Sequence, residues 1–120
     1  MSEQEYAQRA LPPLRLIAEA LTVIGDDIGR SQDGDPDVTI RLTAASVAFI
    51  IGHDQLATLS PPLHLADYHD RLLEATAQCK IVGEQLPIAL DSNDLVHWAM
   101  LVDPMTRCGE GLDEASRMLN

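Results

Sequence analysis

The sequence predicts an all-α fold: a single domain built as an antiparallel up-down-up-down four-helix bundle. Apolar residues recur at alternating steps of three and four in four stretches, the spacing that keeps one stripe of a helix against its neighbours. Only four of the 120 residues are aromatic, so aliphatic side chains must fill the interior. Short connections join the stretches, which makes sequential helices antiparallel. A chain of this length suits one domain with one core.

The apolar stripes place the four helices at about residues 3–31, 37–59, 61–90 and 93–119. A turn-forming cluster that includes Gly34 separates the first two. The second stretch begins with an alternating apolar pattern, which would also suit a short strand. We favour a helix, because an isolated strand would have no pairing partner.

Prolines predict interruptions in three of these helices. The pair Pro12-Pro13 predicts a break in the first helix, with residues 3–11 forming a separate turn or a kinked extension. Pro87 is expected to kink or end the third helix late in its course. Pro104 lacks the amide hydrogen that an interior helical position requires, and its ring clashes with the preceding turn. We therefore predict a bend or a break near residues 100–104.

Glycines on the apolar stripes leave space for large groups inside the bundle. One lies on the third stripe and another on the fourth, where a missing side chain lets a helix or a ring approach closely. A histidine on the third stripe is expected to be a hydrogen-bonded core residue or part of a ligand pocket. One hypothesis is therefore a small-ligand pocket inside the bundle, lined by His69, Trp98, Phe49, Gly83 and Gly109.

The second helix has an unusually apolar second face. Between residues 38 and 60 its only formal charges are Arg41 and Asp54. Two interpretations are open: a wide stripe that contacts two neighbouring helices, or an interface in a homodimer or with another protein. The residues of this face are Ile40, Val47, Ile50 and Ile51.

Cys79 and Cys108 are expected at similar levels of the third and fourth helices. If these helices form a hairpin that turns near residues 91–94, one cysteine lies about 14 residues before the turn and the other about 15 after it. A disulfide is then geometrically feasible and would suit an oxidising compartment. The alternative is a pair of buried thiols in a cytoplasmic protein.

The charge of the chain excludes one class of partner. Nineteen acidic and eight basic residues give a formal net charge of -11, which repels phosphate backbones, so nucleic acid is not an expected partner. No stretch has the roughly 18–20 consecutive apolar residues that span a bilayer. The first residues lack the basic and apolar regions of a signal peptide. We expect a cytoplasmic protein as written, and an extracytoplasmic one if a leader has been removed.

The polar residues form no recognisable catalytic or metal-binding pattern. The four histidines lie on three helices without the i, i+4 spacing that builds a metal site on one face. No glycine-rich phosphate loop, nucleophile elbow or Cys-x-x-Cys is present. The acidic cluster in the third helix is explained by a solvated face, and it comprises Asp67, Asp70 and Glu74. Neither a metal nor a cofactor is expected.

The second half of the chain combines a Pro-Pro run, a histidine-bearing helix and a small-residue turn. The run at residues 61–62 precedes a helix with His69 and the pair Leu72-Leu73, and Ser92-Asn-Asp94 leads to a last amphipathic helix. This half resembles helical bundles of uncharacterised bacterial exported or lipoprotein domains. The resemblance implies an extracytoplasmic bundle and carries no active site.

Taken together, these features predict a non-enzymatic helical-bundle module for protein interaction or self-association through the second helix. One alternative is a small-ligand carrier with the interior pocket described above. Another is an enzyme whose polar groups converge in a cleft.

Overall fold

A computed structural model describes residues 1–119, apart from the side chains of residues 31–33. It confirms the all-α prediction, and residues 1–119 contain no strand. The fourth helix of the bundle consists of two pieces, α4 and α5. The helices are α1 (Glu3–Asp27), α2 (Pro36–Ala57), α3 (Ala66–Ser92), α4 (Leu95–Met100) and α5 (Val102–Arg117), with short 3-10 turns at Ile28–Asp33 and Leu63–Leu65.

Three helix pairs pack side by side, and contacts between them show that each pair is antiparallel. In the α1/α2 pair, Asp27 near the end of α1 meets Arg41 near the start of α2. In the α2/α3 pair, Thr76 lies beside His53, and Gly83 further along α3 lies beside Ser46. In the α3/α5 pair, Arg71 binds Glu114, and Cys79 further along α3 is joined to Cys108. The α1 and α5 helices do not pack side by side in this way, so one side of the bundle is open.

The α1 helix continues without interruption through Pro12-Pro13, so the predicted break at these residues is wrong. The two prolines leave the carbonyl groups of Gln8 and Arg9 without their helical amide partners. Both residues are exposed, so water can hydrate these carbonyls. The Pro13 ring is buried and packs inward, which offsets the lost hydrogen bonds.

The other two prolines have different outcomes. The α3 helix runs through Pro87 to Ser92, so this proline does not end it. The last helix is divided at Leu101, within the interval in which Pro104 predicts a break. Pro104 falls in the first turn of α5, where its missing amide hydrogen has no helical partner to lose. The division therefore turns an unfavourable interior proline into a tolerated terminal one.

The helix ends are fixed by capping residues. The Glu5 amide donates to Ser2 Oγ at the start of α1, and the Asp37 amide donates to Asp35 Oδ1 at the start of α2. Gly34 precedes that cap with a φ of 73°, a left-handed conformation that glycine adopts without strain. Each such cap stabilises its helix by about 1 kcal/mol.

The core is aliphatic, as the composition requires, and two glycines let its helices approach closely. A Cβ atom on Gly83 of α3 would lie 2.5 Å from the Ser46 carbonyl oxygen of α2. A Cβ atom on Gly52 of α2 would lie 2.6 Å from Ile17 of α1. The largest fully buried side chains are Phe49, Ile17, Ile24, Leu42, Leu56, Leu72 and Leu86.

Candidate functional site

The apolar second face of α2 is exposed to solvent. Ile40 is 65% exposed, Val47 48% and Ile51 42%. Ile50 instead is half-buried and lies beside Gly83. The interpretation of this face as a wide stripe covered by two neighbouring helices is therefore wrong for three of its four residues.

The exposed residues form a regular row, which we call the outer stripe of α2: Ile40, Ala44, Val47 and Ile51. Their spacing of four, three and four keeps them on one side of the helix, opposite the buried row that faces the core. The α2 helix contains three charged residues, of which Asp37 is exposed in the first turn. The other two are paired with neighbouring helices, because Arg41 Nε donates to Asp27 Oδ2 at 2.6 Å and Lys80 Nζ donates to Asp54 Oδ1 at 2.8 Å. The four residues of the outer stripe therefore carry no charge, and the exposed Asp37 lies one turn before its first residue.

The open side of the bundle forms a second apolar surface, the α1/α5 groove. It contains two cavities, of about 350 Å³ and about 220 Å³. Tyr68 and Leu72 of α3 contribute to the larger one. The α1 wall comprises Leu14, Ile17, Ala18, Leu21 and, beyond the end of α1, Ile28; the opposite wall comprises Trp98, Leu101, Val102, Met105, Thr106, Leu112, Ala115, Ser116 and Leu119.

The residues predicted to line one interior pocket do not converge on one space, so that prediction is wrong, although Phe49 and Gly83 lie side by side. His69 lies beside Tyr6 near the start of α1, whereas Trp98 lies beside Ile28 after its end, roughly 30 Å along the helix axis. Phe49 is buried in the core. The space at Gly83 is filled by the backbone of α2, and no atom lies within 4 Å of a Cβ built on Gly109.

His69 is a core residue with a hydrogen-bond partner, one of the two roles that its position on an apolar stripe allowed. Its Nδ1 atom lies 2.8 Å from the Tyr6 hydroxyl, and both side chains are buried. Tyr68 packs edge-on against Tyr6, with ring centroids 6.5 Å apart. Burial raises the pKa of Tyr6 to about 12 and lowers the pKa of His69 below its ordinary value. The Tyr6–His69 hydrogen bond therefore links α1 to α3 while both side chains are neutral.

This burial predicts a loss of stability in acid. The pKa of His69 is lowered in the folded protein, so the unfolded chain binds the proton more tightly. The contribution of neutral His69 to the free energy of unfolding is complete above the ordinary histidine pKa of about 6.5. It declines as the pH falls below that value toward the lower pKa of the folded protein. Nearby Asp70 opposes the shift but does not cancel it. Urea unfolding at pH 7.5 and pH 5.5 should show a smaller decline for His69→Gln than for the wild type. An equal decline in both proteins would contradict this assignment.

Cys79 and Cys108 form a disulfide between α3 and α5, with the two sulfur atoms 1.99 Å apart. Both residues are fully buried. One turn along α5, a Cβ atom on Gly111 would lie 2.6 Å from the Ala75 Cβ of α3. The small residues thus bring the two helices close enough for the bridge.

A polar cleft lies on the outside of the same helix pair. Arg71 binds Glu74 at 3.1 Å and also binds Glu114 across the cleft. Arg107 binds Asp103 at 3.1 Å. Because both guanidinium groups have carboxylate partners, this cleft is explained as an ion-pair network that joins α3 to α5.

Trp98 contains a buried donor without a partner. Its Nε1 atom is inaccessible to solvent and has no acceptor among the described residues. Buried indole N–H groups usually have a hydrogen-bond partner. The Trp98 side chain lines the smaller cavity of the α1/α5 groove.

Neither a metal site nor a membrane span is found in the part of the chain that the structure describes. Within residues 1–119, no three His, Cys, Asp or Glu side chains are grouped so that they could hold a metal ion. In the same residues, every helix is too short or too polar to cross a membrane. Comparison of the chain with protein-family models, curated proteins and solved structures finds no significant match.

Proposed function

We propose that this chain is a non-enzymatic helical-bundle module that associates with a second copy of itself through the outer stripe of α2. The observation that carries the proposal is the row of exposed β-branched side chains: Ile40, Val47 and Ile51 lie on one side of a long helix. Single exposed apolar residues are ordinary on a protein surface, whereas a contiguous row marks a contact site.

The charge of the chain restricts where two copies can meet. With a net charge of -11, most pairs of surfaces would bring like charges together. The outer stripe reduces this cost, since its four residues are uncharged and the nearby Arg41 and Asp54 are each paired within their own bundle. Asp37 is exposed one turn before the stripe begins. Burial of its apolar area stabilises the contact by about 25 cal/mol for each Å² removed from water.

The proposal is tested with a charge placed in the middle of the stripe. Val47→Lys should leave the bundle folded, because the side chain is exposed and lysine is a good helix former. It should weaken self-association by at least about tenfold, the effect of about 1.4 kcal/mol, since the contact would have to bury an ammonium group. Sedimentation velocity at matched concentrations measures the change.

Leu63→Lys is the matched control. Leu63 is 93% exposed and lies outside α2, and its substitution changes the net charge by the same amount. This variant should associate as the wild type does. Equal association of Val47→Lys and the wild type would remove the proposal.

The two alternatives have less support. A ligand carrier would need a pocket with convergent polar groups, but the residues predicted to line it lie at opposite ends of the bundle or in its packed core. An enzyme would need free acid, base or nucleophile groups in a cleft. In the polar cleft Glu74 and Glu114 are paired with Arg71, and both cysteines are joined to each other. Glu110 is the one acid lining this cleft that has no ion pair among the described residues, and a single exposed carboxylate supplies no acid–base pair.

An extracytoplasmic location is the companion proposal. A disulfide such as Cys79–Cys108 forms and persists in oxidising compartments. An extracytoplasmic location is also what the resemblance of the second half of the chain to exported bacterial bundles implies. The test is to alkylate free thiols in the cells before the protein is isolated. If both cysteines are alkylated, the extracytoplasmic location is overturned.

A further inference from the structure

The walls of the α1/α5 groove are built as two facing rows of apolar residues. Leu14, Ala18 and Leu21 follow one another on α1 at steps of four and three. Met105 and Leu112 are two turns apart on α5, and Gly109 lies between them with open space beside it. Two parallel rows with a gap between them form the kind of groove that receives the apolar face of a helix.

The dimensions of the groove suit the outer stripe of α2. From Val102 to Leu119 the α5 wall is roughly 25 Å long, at about 1.5 Å for each residue. The outer stripe from Ile40 to Ile51 is roughly 16 Å long on the same basis. The stripe therefore fits within the groove, and its single row can enter between the two walls.

Charge also distinguishes this pair of surfaces from the rest of the chain. No Asp, Glu, Lys or Arg side chain lines either cavity of the groove. The outer stripe is likewise uncharged, although more than a fifth of the chain, 22%, consists of charged residues. In a protein with a net charge of -11, contact between two apolar surfaces without charged side chains adds no like-charge pair at the interface.

We propose that the α1/α5 groove of one copy binds the outer stripe of α2 of a second copy. This inference rests on the proposed function and adds the receiving surface to it. The stripe and the groove lie on different sides of the bundle, because α2 packs between α1 and α3 while the groove lies between α1 and α5. Each copy therefore offers one stripe and one groove. Contacts between two different surfaces generate rings or open chains of copies.

The test is a complementation experiment with two blocked variants. Val47→Lys blocks the stripe, and Ala18→Lys blocks the groove through an exposed residue of its α1 wall. Each variant alone should sediment as a monomer at concentrations where the wild type associates. An equimolar mixture should form a one-to-one dimer that does not grow further, because the Ala18→Lys copy still supplies a stripe and the Val47→Lys copy still supplies a groove. Leu63→Lys again serves as the control and should associate as the wild type does.

Trp98 provides a second readout of the same mixture. It is the only tryptophan of the chain, and it lines the smaller cavity of the groove. With Trp98→Phe added to the Ala18→Lys copy, only the copy with the open groove fluoresces. Its emission should change when the partner is titrated in.

The outcomes separate this inference from the function on which it rests. If Ala18→Lys associates like the wild type while Val47→Lys does not, two α2 stripes pair with each other, and only the groove assignment is overturned. The groove assignment is also overturned if the mixture stays monomeric, or if the groove binds an acyl chain without any effect on association. If Val47→Lys associates like the wild type, both proposals are overturned.

Discussion

Gly83→Ala should destabilise the bundle by about 1–3 kcal/mol, although alanine is the better helix former. In an open position the substitution would stabilise a helix by about 1 kcal/mol. At this position the new Cβ atom would lie 2.5 Å from the Ser46 carbonyl oxygen and 3.2 Å from the Phe49 Cβ atom. The carbonyl belongs to the α2 backbone and cannot rotate away, so α2 and α3 must separate and lose packing. The clash therefore outweighs the propensity gain. Urea unfolding monitored by circular dichroism measures the difference.

Gly109→Ala is the matched control for this prediction. Gly109 also lies within a helix, but no atom is within 4 Å of its added Cβ position. The substitution should stabilise the protein by up to about 1 kcal/mol, because only the propensity term remains. Stabilisation of similar size by Gly83→Ala would show that α2 and α3 are farther apart than the structure places them.

Removal of the Cys79–Cys108 disulfide should cost about 3–4 kcal/mol of unfolding free energy. The bridge joins residues 29 apart in sequence, and closure of a loop of that length restricts the unfolded chain by about this amount. The loop contains the turn between α3 and α4 as well as the division at Leu101, so α5 would lose its covalent link to the core. Urea unfolding of Cys79→Ala/Cys108→Ala against the oxidised wild type measures the loss.

The single variants and the reduced protein separate the crosslink from packing. Cys108→Ala alone abolishes the bridge. The reduced wild type and this variant should therefore both lose most of the unfolding free energy that the disulfide contributes. Both cysteines are fully buried, so the alanine substitutions add a smaller cavity term. Equal stability of the oxidised and reduced wild-type proteins would contradict the prediction.

The sequence predicts the helices well because their apolar spacing is regular, and it predicts their interruptions less well. Pro104 and Pro12-Pro13 carry the same local signal. The carbonyl groups that they leave unpaired belong to exposed residues in both cases, Gln8 and Arg9 on α1 and Met100 on α4, so exposure does not account for the two outcomes. Sequence spacing alone does not distinguish a helix that continues through a proline from one that is divided before it.

The outer stripe of α2 could be predicted, whereas the α1/α5 groove could not. The stripe combines an apolar row with an almost uncharged helix, and both features can be read along the chain. The groove walls have the same spacing as the buried rows: Leu14 and Leu112 have the periodicity of core residues. Spacing shows which residues share a face, but not whether a neighbouring helix covers that face. The pocket prediction failed for a related reason, because His69 and Trp98 lie on inward rows at different levels of the bundle.

Sedimentation of the wild-type protein over a wide range of concentrations tests the central claim most directly, namely that the exposed outer stripe of α2 mediates self-association. We expect a sedimentation coefficient that rises with concentration from the monomer value. Added salt should strengthen the association, because it screens the mutual repulsion of chains that each have a net charge of -11. A strict monomer at every concentration and salt level would contradict the claim.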